Sequence, residues 1–233
     1  MEPFKLFGLQ HVTTLLLLAV GSFVAFQAGR GPRSNRWNLA GGLFFALYAA
    51  ALWTYKLQDG IQWELDLPLQ LCDLIFLLCL ACFISPRPLL VTLATYWGLA
   101  GTLQALITPD VRHAFPSSEF VFFFVGHSAI VLAIFFLLGR APHEGLQGRS
   151  GIKTSFLWLL GYVALAGGFN KLLNVNYGYL SAKPQRASIL DLFGPWPVYV
   201  GAGVGLALVL FVGISGVLSL LPLETRGEPS REE

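Results

Sequence analysis

FVFFFVGHSAIVLAIFF, residues 120–136, decides the fold: an unbroken apolar run with one ionisable side chain, His127, inside it. Hydrocarbon offers no water to an imidazole, so an ionisable group there costs several kcal/mol unless it faces a partner or a cavity. A second run, LPLQLCDLIFLL (67–78), repeats the anomaly with Cys72 and Asp73. A thiol, a carboxylate and an imidazole kept where a membrane protein least tolerates them are candidate site residues before any architecture is drawn.

Composition agrees. The chain has 233 residues, 55% hydrophobic and 12% charged, with 19 Phe, and a mean hydropathy of +0.65. A soluble domain carries about 25% charged residues, so the chain reads as an all-α, multi-pass protein of the cell membrane whose partners are membrane lipids. A net charge of +2, scattered along the sequence, argues against nucleic acid. Cys72, Cys79 and Cys82 all lie on one apolar segment, which excludes a disulfide framework and leaves Cys79 and Cys82 as small core side chains. The first apolar run follows a single early lysine, Lys5, and continues past Gly21, so it reads as a retained span rather than a cleaved leader.

A span needs about 20 apolar residues to cross ~30 Å of hydrocarbon. Seven are expected, at about 8–28, 37–56, 68–84, 88–107, 118–139, 154–173 and 197–221, forming one bundle over 1–222 with a polar, disordered tail at 223–233. Pro86, Pro88 and Pro109 bound the fourth; Pro195, Pro197 and Pro222 bound the seventh. With the N-terminus outside, the inner segments hold Arg30, Arg33, Arg36, Arg87, Arg140, Arg149, Lys153, Arg226 and Arg231. The outer ones hold Lys5, Lys56, Arg112, Lys171, Lys183 and Arg186, and the excess inside favours N-out, C-in.

That topology gathers the polar span residues into the outer half. His11 lies near the outer end of span one, Tyr55 and Lys56 close span two, and Gln70, Cys72 and Asp73 open span three. Gln104, Thr108 and Asp110 close span four, and Asn170, Lys171 and Asn174 close span six. His127 is the deepest, ~14 Å down at 1.5 Å per residue. Span ends are always more polar, which accounts for Lys56, Asp110 and Lys171, but not for His127 and only partly for Asp73. A cavity opening to the outer leaflet is therefore expected. His143 falls on the inner side, and no HExxH metal-binding spacing occurs.

Cysteine attacks as a thiolate and needs a base or positive charge nearby. His127 supplies one if tilt and side-chain reach close a depth gap of about 5–7 Å, estimated from helical rise. Asp73 then orients a histidine or holds a lysine, and amides at Gln104, Asn170 or Asn174 donate to an oxyanion. Cys72 as an ordinary span cysteine and His127 as a structural histidine are the competing readings. Ser128, next to His127, points to another helix face and ranks lower as a nucleophile.

Five segments carry a resemblance: LPLQLCDL (67–74), YWGLAGTLQALITPD (96–110), FFFVGHSAIVL (122–132), NVNYGYLSAKP (174–184) and LDLFGPWPVYV (190–200). Together they resemble the bacterial YwaF-type integral membrane proteins, which are similar to eukaryotic transmembrane protein 164. The resemblance implies seven spans and, from the eukaryotic branch, an acyltransferase that moves a fatty acyl group between phospholipids without coenzyme A, through a cysteine with a histidine partner. Cys72 matches the cysteine of the LPLxLC motif and His127 the histidine of the FFxxH motif. The family often has histidine where this chain has Gln70, and usually glycine where it has Ser128.

The expectation is thus a lipid acyltransferase or transacylase with Cys72 as nucleophile, His127 as base and Asp73 as their companion. His11, Gln70, Gln104, Asn170, Lys171, Asn174, Tyr177 and Lys183 would contact substrate, with Arg186 meeting head groups beside the lysines. The reading assigns no cofactor, no metal and no oligomeric state. Its rivals are a lipid hydrolase and a non-enzymatic transporter, lipid-binding or sensor protein using the same residues to line a cavity.

Overall fold

The computed structural model describes residues 2–140, 146–184 and 188–221. The expectations for His143, Arg186 and the tail 223–233 lie outside the described residues. The principal helices are α1 Leu9–Arg30, α2 Ser34–Asp59, α3 Leu71–Ile84, α4 Pro88–Ile107, α5 Ser118–Arg140, α6 Gly148–Leu173 and α7 Val198–Leu220. Among the described residues no strand forms, beyond an isolated antiparallel bridge between Pro3 and His113.

Six of these helices are long and apolar enough to cross a membrane. α3 differs: its 14 residues rise about 21 Å at 1.5 Å each, short of ~30 Å of hydrocarbon. The expected span 68–84 loses its first turn at Gln70, which is extended (φ −64°, ψ 146°) and makes no side-chain cap on its own helix. Its Oε1 instead accepts the Gly178 N–H at 2.9 Å, while the Tyr162 hydroxyl donates to the Leu69 carbonyl at 3.0 Å. Tertiary partners thus hold the chain extended where hydropathy alone predicts helix. α6 starts earlier than 154 because its first turns, GRSGIK, are helical but polar.

α4 and α5 form the centre, with 61% and 56% of their apolar stretches buried against 6% for α2. Ile75, Cys79 and Cys82 from α3 pack there with Tyr96, Ile134 and Phe211, and both cysteines are fully buried, as small core side chains. α4 is anchored to the α6 side by Tyr96, whose hydroxyl donates to the Leu146 carbonyl (2.9 Å), and by Trp97, whose Nε1–H donates to the Ser155 carbonyl (3.0 Å). α1 runs along α5. A Cβ at Gly29 would fall inside contact distance of the Phe136 carbonyl, and one at Gly139 inside that of Phe26, so backbone meets backbone along this seam.

Midway, α4 widens into a π-helical stretch, Gly98–Thr102. Gly98 meets α5 and α3 there, where a Cβ would collide with Ile134 and lie 3.3 Å from Ile75 Cγ2. Such insertions shift the register of every following side chain and recur at functional sites.

The N-terminus and the long connections meet at one end of the bundle. The Phe4 N–H donates to the Arg112 carbonyl, and the Ala114 N–H to the Glu2 carbonyl, both at 2.9 Å. The connection after α6 folds back on the bundle through left-handed turns at Asn174 (φ 55°) and Gly178 (φ 67°), which asparagine and glycine tolerate. The Tyr199 hydroxyl donates to the Tyr179 carbonyl (2.7 Å), and the Trp196 indole N–H to the Leu180 carbonyl (3.0 Å).

Candidate functional site

Cys72 stands in the first turn of α3 and His127 three turns into α5, and both line two neighbouring cavities at this end. The first, about 200 Å³, lies between α2, α3 and α5 and includes Tyr48, Lys56, Asp66, Asp73, Phe76 and Ile130. The second, about 430 Å³, lies between α3, α4, α5 and the loops, and includes Gln70, Thr102, Ala105, Asp110, Tyr179 and Ser188. The thiol and the imidazole, 55 positions apart by their numbering, thus share the wall between two chambers. Cys72 is a free, half-buried thiol.

The His127 ring is held in one orientation. Its Nδ1 lies 2.8 Å from the Phe123 carbonyl, and the Phe123 ring stacks on it with centroids 4.1 Å apart. A carbonyl only accepts, so Nδ1 carries the proton and Nε2 keeps its lone pair. This is the tautomer a base needs. The helix itself supplies the orienting group, one turn back, in place of a carboxylate.

Asp73 lines the first cavity with Cys72 and His127. Lys56, one of the lysines open to Asp73, lines the same cavity and forms its ion pair with Asp66 (Nζ to Oδ1, 3.3 Å), donating also to the Asp66 carbonyl (3.3 Å). Asp66 Oδ2 also accepts the Gln62 N–H at 2.7 Å, so this pair pins the α2–α3 connection.

The remaining expected contacts separate into cavity walls and struts. Gln70 lines the second cavity, and Gln104 a third of about 190 Å³ that borders the second at Leu71, Gly101, Gly178 and Tyr179. His11 is fully buried, with Nδ1 accepting the Phe7 N–H (3.0 Å) and Nε2 donating to the Leu106 carbonyl (2.8 Å). Both ring nitrogens are thereby committed to backbone. Asn170 is a strut of the same kind: its Nδ2 donates to the Tyr177 carbonyl and its Oδ1 accepts the Tyr177 N–H, each at 2.8 Å. Tyr177 is buried beneath this clamp, its hydroxyl accepting the Leu67 N–H at 3.2 Å. Lys171 and Asn174 are exposed, Asn174 closing α6 in the left-handed conformation. Lys183 sits 3.8 Å from Asp191 and 5.5 Å above the Tyr199 ring.

Ser128 turns away from the two chambers toward an apolar groove of about 780 Å³ between α1, α2 and α5. Sequence reasoning missed Tyr48, Thr102 and Tyr179 as cavity walls. Tyrosine and threonine are ordinary span residues, and only the GLAGT glycines hinted at close packing near Thr102.

An all-helical bundle with six membrane-length apolar helices, and chambers at one end that take in a few polar side chains, defines a multi-pass membrane protein. Over residues 6–215 the sequence matches the TMEM164 family, and the chain belongs to it. No curated protein and no solved structure matches.

Proposed function

We propose that this protein is a membrane-embedded lipid acyltransferase or transacylase. The observation that carries the reading is the position of Cys72 and His127 in the wall common to two chambers, in a chain of the TMEM164 family. His127 Nε2 takes the thiol proton, and the Cys72 sulfur attacks a lipid ester carbonyl. The C–O bond breaks, the lipid alcohol leaves with the proton from His127, and the acyl group stays on Cys72 as a thioester. An incoming alcohol reverses these steps. General-base help of this kind contributes about 10²–10⁴-fold in rate.

In this reading α3 serves as a seventh, short span, with the N-terminus outside and the tail cytoplasmic. Asp73 positions the pair, and Lys171 and Lys183 meet head groups at the membrane surface. Asn170 leaves the group of oxyanion donors, because its amide already holds Tyr177. The test is acyl exchange between labelled and unlabelled phospholipids in vesicles carrying the purified protein. Wild type is expected to exchange label and to show a hydroxylamine-sensitive acyl adduct on Cys72, and Cys72→Ala to do neither. Unchanged exchange in Cys72→Ala would remove the covalent mechanism. No exchange in wild type would leave a lipid-binding or transport protein.

A further inference from the structure

Thr102 is 1% exposed, its Oγ1 has no hydrogen-bond partner among the described residues, and it lines the second chamber with Cys72 and His127. Buried hydroxyls are normally paired, and one left open needs a reason. Threonines on helices usually satisfy themselves by donating to the carbonyl one turn back. Three in this chain do so: Thr14 to Gln10 (2.8 Å), Thr54 to Ala50 (2.7 Å) and Thr108 to Gln104 (3.1 Å). Thr102 is the last residue of the π-helical stretch, where the register of the turn has slipped, and its buried hydroxyl stays unmatched on a residue that borders the chamber.

The surrounding wall is mostly apolar with a few polar side chains, as a lipid with an oxygen-bearing glycerol needs. Gln70, Thr108, Asp110, Tyr179 and Ser188 line the same chamber. The geometry points to Thr102 as the residue that binds the lipid alcohol: its hydroxyl donates to a glycerol oxygen of a lysophospholipid held in this chamber beside Cys72. This rests on the acyl-transfer reading and gives the second chamber its ligand. In transfer, the free hydroxyl of that lysophospholipid attacks the thioester carbonyl. The new C–O bond forms, the C–S bond breaks, and the hydroxyl proton passes through His127 Nε2 to the Cys72 sulfur. Thr102 stays unchanged and acts only by positioning the acceptor.

The experiment is equilibrium binding of lysophosphatidylcholine to the purified chain in nanodiscs, for wild type, Thr102→Val, Thr102→Ser and Ala105→Phe. Transfer is measured separately as discharge of the Cys72 thioester against acceptor concentration. Loss of one neutral hydrogen bond predicts about three- to tenfold weaker binding in Thr102→Val. The acceptor concentration for half-maximal discharge rises by the same factor. Thr102→Ser returns both to wild type, and Ala105→Phe, which fills the chamber, abolishes binding. Wild-type binding in Thr102→Val, or equal weakening in Thr102→Ser, overturns the proposal. Because binding is read without turnover, a wild type that binds the lysolipid but forms no thioester overturns the acyl-transfer reading while the Thr102 subsite stands.

Discussion

Gly126, the residue before His127, has no room for a side chain. A Cβ built there falls inside contact distance of the Tyr48 hydroxyl oxygen and lies 3.0 Å from Tyr48 Cζ. Tyr48 cannot simply swing aside, because its hydroxyl donates to the Phe122 carbonyl at 2.6 Å. Its ring also packs near Phe44, Phe76 and Phe122, with centroids 6.2, 5.3 and 6.1 Å away. Gly126→Ala therefore breaks that hydrogen bond, worth about 0.5–1.5 kcal/mol, and overpacks the wall at about 1–3 kcal/mol, for a total of about 2–4 kcal/mol. At about 2–4 °C per kcal/mol for a chain of this size, thermal unfolding in detergent should fall by roughly 5–15 °C. Tyr48→Phe removes the colliding oxygen, so Gly126→Ala in that background should cost at least about 1 kcal/mol less than in wild type, well beyond the ~0.5 kcal/mol scatter of independent sites. Additive costs in the double variant would refute the steric account of the glycine.

Two further outcomes follow from the same geometry. His11→Phe keeps the ring but leaves the buried Leu106 carbonyl and the Phe7 N–H without their partners, which costs about 2–5 kcal/mol; thermal unfolding should shift down while lipid binding per folded molecule stays within about twofold, and lost binding at unchanged stability would return His11 to the substrate site. Tyr179, outside the spans, has its hydroxyl pushed up to about 12 by burial and then by the charge of Asp110. The fold favours the neutral phenol, so this contribution is complete below the ordinary tyrosine range near 10 and is lost as pH rises toward 12. Tyr179→Phe should flatten that alkaline limb in pH-dependent unfolding.

Hydropathy located five of the six long helices to within about three residues and missed the polar first turns of α6 by six, because the cost of exposing backbone in hydrocarbon dictates both length and apolarity. It overran at α3, since the contact that holds Gln70 extended comes from Gly178, 108 positions away. It also passed over the π-helical stretch of α4: the register slip accompanies packing of Gly98 against Ile134 and Ile75, which no local pattern of residues announces. Cys72, Asp73 and His127 stand out in the sequence by the cost of their position, and all three line one chamber. Thr102 and Tyr48 carry no such cost signal, because a neutral hydroxyl in a span is cheap beside an ionisable group.

The two span histidines show why that cost signal is incomplete. His11 and His127 are the same residue in comparable apolar runs, and sequence ranks both as site candidates. In α1 the ring closes a circuit, Nδ1 to Phe7 and Nε2 to Leu106, and every hydrogen-bonding capacity ends on backbone. In α5 only Nδ1 is committed among the described residues, to the Phe123 carbonyl one turn back, and the ring borders two chambers. Hydropathy reads the two rings alike, since each costs the same to place in an apolar run. What separates a strut from a reactive group is whether a second capacity remains and whether space adjoins it, and both are properties of tertiary packing. By that criterion Asn170 falls with His11, since both its amide atoms end on the Tyr177 backbone.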